Sequence, residues 1–439
     1  MSNSSQSQTS APLTEQRYVK PLMLITTLFF LWAFGVNLND ILIPRFKNAF
    51  ALSDFQSAFI QWAFFGGYCL AAMPAGWLME RIGYKRGILT GLALCACGAL
   101  LFVPASAAGT YAFFLVALFV MACGQSFLEV AANPYVTILG PSESSERRLN
   151  LSQSFNAVGA VVAMLLGLYI LQGQEISVQR RASWTVVQEQ AYRVQQASSV
   201  RLPYVLIACI FLFVAILIWR THLPDVVEKS ANPKENPSWV RVLSQGHLVK
   251  GVLAQFFYVG AQVGVGSFVI RFAQHTMPYL SSRQAWFYLL GHWVGFMIGR
   301  FGGSAMMKRI APARLLSIFA AGCLICAIVA VVTSGMPAVF AIVLIGFFHS
   351  IMFPTIFALG IRHLGPLTKR GSSLMVVAIS GGALLPLLMG AISDASSIQT
   401  AFIVPLICYV YILYFALAGY KPTGALADEM LTETEAQNA

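Results

Sequence analysis

The segment AGWLMERIGYKR, residues 75–86, sets Glu80, Arg81, Lys85 and Arg86 in a short loop between two long apolar runs. An echo, GSAMMKRIAPAR, stands at 303–314 and shares Met, Arg, Ile and a final Arg at equal spacing. A second pair agrees: RLNLSQSFNAVGA (148–160) meets RGSSLMVVAISGG (370–382), with Arg, a Ser and a Gly in common. A chain whose two halves repeat in parallel, around a central cavity with a binding site near the midplane, has the architecture of a transporter.

Composition sets the solvent. Of 439 residues, 57% are hydrophobic and 10% charged, and the mean hydropathy is +0.70. Polar groups could not cover such a chain in water, which excludes a soluble multidomain enzyme. Apolar runs fall at about 21–44, 56–79, 87–105, 111–139, 150–172 and 203–221, then at 248–274, 284–307, 314–333, 337–361, 371–393 and 399–420. Each is close to the ~20 residues that cross a bilayer as a helix. The expected fold is an all-α integral membrane protein with twelve transmembrane helices in two pseudo-symmetric six-helix halves.

The halves are expected at 21–221 and 248–420. A polar, Pro-bearing linker at 222–247 joins them, and tails at 1–20 and 421–439 flank them. The net charge of +11 would suggest nucleic acid in a soluble protein. Here Lys and Arg collect in alternate loops, including 81–86, 147–148, 308–314 and 362–370, which places both termini in the cytoplasm. The polar first twenty residues carry no cleavage site of a secretory signal. The eight cysteines lie in apolar runs and read as small buried thiols rather than a metal or disulfide set. No metal, cofactor or nucleic-acid partner is expected.

Ionisable residues away from the span ends are few: Asp40, Glu129, His292 and His349. A charge at membrane depth costs at least ~2.5 kcal/mol, so each is a candidate for function. Asn37 and Asp40 share a face at i, i+3; Gln125, Glu129 and Asn133 form a column at i, i+4, i+8; Gln153 and Asn156 are three apart. Amides both donate and accept, which suits a neutral polyhydroxylated ligand, whereas an anion would call for mid-span Arg or Lys. Arg271 and Arg300 stand near the ends of their spans. The competing use of such amides is to bridge helices, and for Asn39, on another face, that use is preferred. Desolvation favours the neutral form of a carboxyl group, so Asp40 and Glu129 could load and release a proton. In the seventh span, Gln255, Tyr258 and Gln262 share a face, with aromatic rings for the apolar side of a sugar. His349 precedes Pro354 by five residues as Glu129 precedes Pro134, so the repeat offers it either to the cavity or to a bond between helices. His292 reads as a packing residue.

The loop spacing of Gly76, Glu80, Arg81, Gly83, Lys85 and Arg86 resembles the signature of the major facilitator superfamily between its second and third spans. The stretches NLNDILIPRFKNAF, LEVAANPYVTILGP, RLNLSQSFNAVGA, AQFFYVGAQ, IGRFGG and FPTIFALGIRHLG resemble the fucose–galactose–glucose:proton symporter family, nearest to its L-fucose:proton symporters. The resemblance covers about residues 17–420. It implies proton-coupled uptake of L-fucose or a related hexose across a bacterial inner membrane by alternating access, the chain acting as a monomer in the lipid bilayer. Asp40 would then be the principal proton carrier and Glu129 would join substrate binding to the conformational change. Asn37, Gln153 and Asn156 would be sugar ligands; Asn133, Tyr258, Gln262 and His349 complete the candidate set. Phe353 stands where fucose permeases have Tyr, and His349 and His292 replace uncharged residues, so glucose, galactose or N-acetylglucosamine stay open beside fucose. An exporter of the same fold would want a roomier, more apolar cavity than three amide-bearing faces provide.

Overall fold

A computed structural model describes residues 12–50, 54–108, 110–171, 201–221 and 239–422, with a few positions between 184 and 223. The described chain is helical, and ten of its stretches are long and apolar enough to cross a membrane. One of these, Trp62–Ala108, has 47 residues and would run about 70 Å as a straight helix, over twice the ~30 Å of a hydrocarbon core. It is two spans. Gly83, with φ of 76°, turns the backbone between them, in a region that only glycine enters freely. With Ser282–Met306, which is long but more polar, the spans number twelve, and the fold is that of two six-helix halves.

The first half comprises α1 (Val19–Phe50), α2 (Asp54–Ala108, holding two spans), α3 (Tyr111–Ile138), α4 (Ser145–Leu171) and α5 (Arg201–Arg220). The second comprises α6 (Gly246–Thr276), α7 (Ser282–Met306), α8 (Pro312–Val332), α9 (Met336–His349), α10 (Met352–Ile361), α11 (Thr368–Val377), α12 (Gly381–Ala395) and α13 (Ile403–Tyr414). Within the expected linker Trp239–Leu243 form one helical turn, and residues 224–238 lie outside the described ones, as do most of 173–200 and 423–439.

Two spans of the second half are broken where the sequence dictates it. Pro354 has no N–H, and its ring crowds the carbonyl of Ser350 four residues back. The helix accordingly stops at His349 and resumes at Met352. The eleventh span passes through a tight turn at Ala378–Ser380 before α12 begins at Gly381. At the head of α7, Ser281 and Gln284 form a reciprocal cap, Gln284 N–H donating to Ser281 Oγ at 3.3 Å and Ser281 N–H to Gln284 Oε1 at 2.9 Å.

One end of the bundle gathers the loop cations, and here the segment before α1 is strapped down. Arg148 is fully buried, and its guanidinium donates to the carbonyls of Val136 (2.6 Å), Thr137, Pro141 (3.2 Å) and Leu13 (2.8 Å). Thr14 Oγ1 donates to Leu139 O at 2.6 Å and Ser144 Oγ to Pro12 O at 2.9 Å. Val136, Thr137 and Leu139 end α3 while Pro12 and Leu13 belong to the arm before α1, so one arginine and its neighbours close a helix end and anchor the N-terminal arm together.

Candidate functional site

The interior of the first half carries one polar stripe. Gln125, Glu129 and Asn133 follow one another along α3 at helical spacing, and all three are buried. Tyr68 of α2 donates its hydroxyl to Gln125 Oε1 at 3.2 Å, and Gln153 of α4 donates its Nε2 to Asn133 Oδ1 at 2.8 Å. Three buried atoms of the stripe, Gln125 Nε2, Glu129 Oε2 and Asn133 Nδ2, have no hydrogen-bond partner among the described residues. Asn156 lies half-buried one turn along α4 from Gln153. Asn37 on α1 is half-buried and donates Nδ2 to Ala33 O at 2.8 Å, within its own helix. The backbone of α1 runs helically through Asn39 and Asp40, whose side chains lie outside the described residues.

Facing this stripe, the second half presents aromatic and basic groups. Tyr258 of α6 is buried and donates its hydroxyl to His349 O at 3.0 Å. His349 bonds through Nε2 to the hydroxyl of Tyr409 on α13 at 2.7 Å, while its Nδ1 has no partner among the described residues. Its ring meets those of Tyr258 and His292 edge-on, at 5.7 and 6.1 Å between centroids. His292 is tied to Ile342 O at 3.0 Å. One turn from Tyr258, Gln255 is fully buried with neither side-chain atom partnered among the described residues; Gln262, one turn the other way, is half-buried.

Arg300 corrects the sequence reading, which placed it near the end of its span. It is 3% exposed. The helix α7 runs on past it to Met306, and α4 and α9 pack over it. Its Nη1 donates to Gln153 O in the first half at 2.6 Å and its Nε to Ser350 O in the second at 2.7 Å. The latter is the carbonyl that Pro354 leaves unbonded in its own helix. The guanidinium also lies over the Phe296 ring at 4.6 Å. Neither the partner helix nor the freed carbonyl is visible in the local sequence, although Pro354 five residues after His349 was a usable signal.

At the basic end the two halves are joined. Arg370 of α11 makes a two-pronged pair with Glu80, Nε to Oε1 at 2.7 Å and Nη2 to Oε2 at 3.0 Å, and lies over Trp239. A Cβ added at Gly76 would fall 1.8 Å from Ser373 Oγ and 3.1 Å from Lys369 O, so α2 and α11 approach as closely as a glycine allows. Arg81 covers the Trp77 ring at 4.0 Å, and Lys85 donates to the last carbonyls of α5, Trp219 O at 3.0 Å and Thr221 O at 2.9 Å. Arg86, in the same loop, is exposed. A second cross-pair sits opposite: Arg362 lies 3.6 Å from Glu146, and Asn150 donates to Thr355 Oγ1 at 3.0 Å. These contacts run from the basic end to the middle of the bundle. Among the described residues no cluster of three or more His, Cys, Asp or Glu is placed to hold a metal.

The profile of the Major Facilitator Superfamily matches residues 24–382. A glucose/galactose transporter of Brucella abortus is 42% identical over 93% of this chain and 96% of its own. The L-fucose-proton symporter of Escherichia coli is 41% identical over 91% of this chain and 93% of its own. The crystal structure of that fucose:proton symporter in the outward conformation superimposes with a TM-score of 0.86, over 91% of this chain and 99% of that one, at 41% identity.

Proposed function

Because this chain belongs to the major facilitator superfamily, and within it to the family of the fucose:proton and glucose/galactose transporters, we propose that it carries a neutral monosaccharide with a proton across a membrane by alternating access. The observation that carries the reading is the pair of facing interiors. Buried amides of Gln125, Asn133 and Gln255 and the carboxyl of Glu129 hold donors and acceptors that the described residues leave unmatched. An unmade bond of this kind costs about 1–3 kcal/mol, and a sugar's hydroxyls, each both donor and acceptor, can supply the partners. Asn37, Asn133, Gln153 and Asn156 are the ligands assigned to the first half; Tyr258, Gln262 and His349 are those of the second. Asp40 and Glu129 carry the proton.

The basic end is taken as the cytoplasmic one, by the bias of Lys and Arg, with both termini there and the membrane a bacterial inner membrane. Glu80–Arg370, Glu146–Arg362 and the Gly76 contact are all made at that end, so the conformation is one shut to the cytoplasm. The halves are 21–221 and 248–420, and one chain forms the whole path. L-Fucose is the first substrate to test. Glucose and galactose are the second reading, favoured by the 42% identity to the Brucella transporter.

The test is the external pH of deenergised cells on addition of L-fucose, galactose, glucose or N-acetylglucosamine, for wild type, Asp40→Asn and Glu129→Gln. Alkalinisation by one sugar, lost in Asp40→Asn, supports symport and names the substrate. No sugar-dependent proton movement, with the protein present in the membrane, overturns it.

A further inference from the structure

His247 has no part in the roles proposed above, yet it is fully buried at the basic end of the bundle, in the first turn of α6. Its Nε2 bonds at 2.9 Å to the carbonyl of Arg362, the residue on which α10 ends. One turn further along α6, a Cβ added at Gly251 would fall 3.1 Å from Gly360 Cα. The two backbones therefore touch beside the bond, and the loop after α10 has little room to shift. The side chain of the same Arg362 reaches across the seam, its Nη1 lying 3.6 Å from Glu146 Oε1 in the first half. Glu146 is buried; Ser145 Oγ donates to its Oε2 at 3.0 Å, and its Oε1 accepts no hydrogen bond among the described residues. A buried carboxylate held this way is strongly destabilised when its cation moves off, because an uncompensated charge is left behind. His247 thus holds the backbone of the residue whose side chain helps to close the seam.

We propose that His247 is a positioning residue of this seam, and that a proton it takes up from the cytoplasm releases Arg362 from Glu146. A neutral imidazole that donates Nε2–H to a carbonyl keeps a lone pair on Nδ1. His247 Nδ1 is buried with no partner among the described residues, so a proton placed there would find no acceptor. The charges on the elements packed about it are mostly cations. Lys250 follows it by three residues on α6, Arg362 and His363 stand in the loop it holds, and Arg241 lies in the helical turn before it. On α11, Lys369 lies over Tyr84 and Arg370 is paired with Glu80. The acids nearest the loop in sequence and fold, Glu143 and Glu146, stand on the first-half side at the head of α4. Helix dipoles offset one another, since His247 sits at the head of α6 and at the tail of α10. Neutral His247 therefore belongs to the shut seam, and protonated His247 to one whose loop has moved and let water reach the ring. The sign follows from this: its contribution to closure is complete above the ordinary histidine value of about 6.5 and is lost as the pH falls below it. Each turnover of a symporter delivers a proton inside, so an acidified cytoplasm holds the basic end open and slows the return of the carrier.

The proposal rests on the sugar:proton reading, and the experiment separates the two. Spin labels at Arg86 and Arg309, one on each half at the basic end, report opening as a distance distribution in purified protein, with the exposed Cys97 and Cys209 replaced by Ala. The range is about pH 5.5 to 8.5, either side of the ordinary histidine value. His247→Gln offers Arg362 O the same kind of donor from a group that does not titrate. Groups that titrate independently in both proteins divide out of the wild-type to His247→Gln ratio of open to shut molecules. That ratio should be near unity at the alkaline end and about tenfold higher at the acid end, within ordinary coupling energies. His247→Leu removes the donor and should open the seam to a similar extent at every pH. In a Glu146→Gln background the ratio should stay near unity throughout, because the proton acts through the pair; this arm carries the test if His247→Leu cannot be purified. A ratio that is flat with pH, or one that still rises when Glu146 is replaced, overturns the proposal. So does His247→Leu as firmly shut as wild type at the alkaline end. Wild type that shows no sugar-driven proton uptake sinks the symport reading instead, whatever the distances do.

Discussion

Gly76→Ala tests the closed seam most directly. The new Cβ would lie 1.8 Å from Ser373 Oγ and 3.1 Å from both Ser373 Cβ and Lys369 O. The hydroxyl can rotate away, at the expense of its 3.1 Å bond to Lys369 O. The backbone oxygen cannot, so α11 must back off by a few tenths of an ångström. Overpacking of this kind costs about 1–3 kcal/mol, and only the state with the basic end shut bears it. At 1.4 kcal/mol per factor of ten, the ratio of open to shut molecules should rise about 5- to 150-fold. The same pair of labels at Arg86 and Arg309 reads that ratio, and sugar accumulation should fall with it. Adding Ser373→Ala removes the nearest atom and leaves the two 3.1 Å contacts, so it should recover part of the closed population. Wild-type distances in Gly76→Ala, or a double variant no more closed than the single, would refute the account of a glycine retained for close approach.

Other outcomes follow from named contacts. Glu80→Gln keeps the shape of the two-pronged pair with Arg370 but removes its charge; because Glu80 is 16% exposed, water recovers part of the loss, about 1–3 kcal/mol, read as opening of the same seam. Gln153→Ala deletes the 2.8 Å bond to Asn133 and leaves a second buried amide atom unmatched, so sugar affinity by calorimetry should fall about tenfold while protein yield in the membrane holds. His363 lies in the loop after α10 with φ of 60°, and burial, with Arg362 beside it, holds its imidazole below the usual histidine range. Below about pH 6.5 the unfolded chain takes up this proton before the folded one, so the His363 contribution to stability is present above that pH and is lost as pH falls towards the folded value. His363→Asn, which tolerates positive φ, should flatten that part of a melting-temperature profile.

Much of the architecture was legible because it follows from local rules. Apolar run lengths located the spans, and the charged segment that holds Gly83 marked the loop between the second and third. The α3 stripe was legible for the same reason: Gln125, Glu129 and Asn133 fall on one face by spacing alone. Arg300 was not. Read along its own helix it is a basic residue six positions before the last residue of α7, where a side chain could reach towards the headgroups. Its burial depends on α4 and α9, far away in sequence, and on a carbonyl freed by a proline. Pairing failed more generally: the sequence placed amides on faces but could not say that Gln153 meets Asn133, or that both ends of Gln255 stay unmatched among the described residues. The side chain of Asp40, from which much of the expected proton chemistry hangs, lies outside the described residues.

The strap at Arg148 bears on how such a protein is made. Its bond to Leu13 O joins residues 135 apart. Synthesis runs from the N terminus at about 5–20 residues per second, so this bond cannot form for roughly 7–27 s after Leu13 leaves the ribosome. Only when Arg148 emerges are the carbonyls ending α3 and the arm ahead of α1 drawn to one guanidinium. Arg148, in the first turn of α4, thus ties the arm before α1, the end of α3 and the start of α4 into one unit whose residues all precede the second half in the chain.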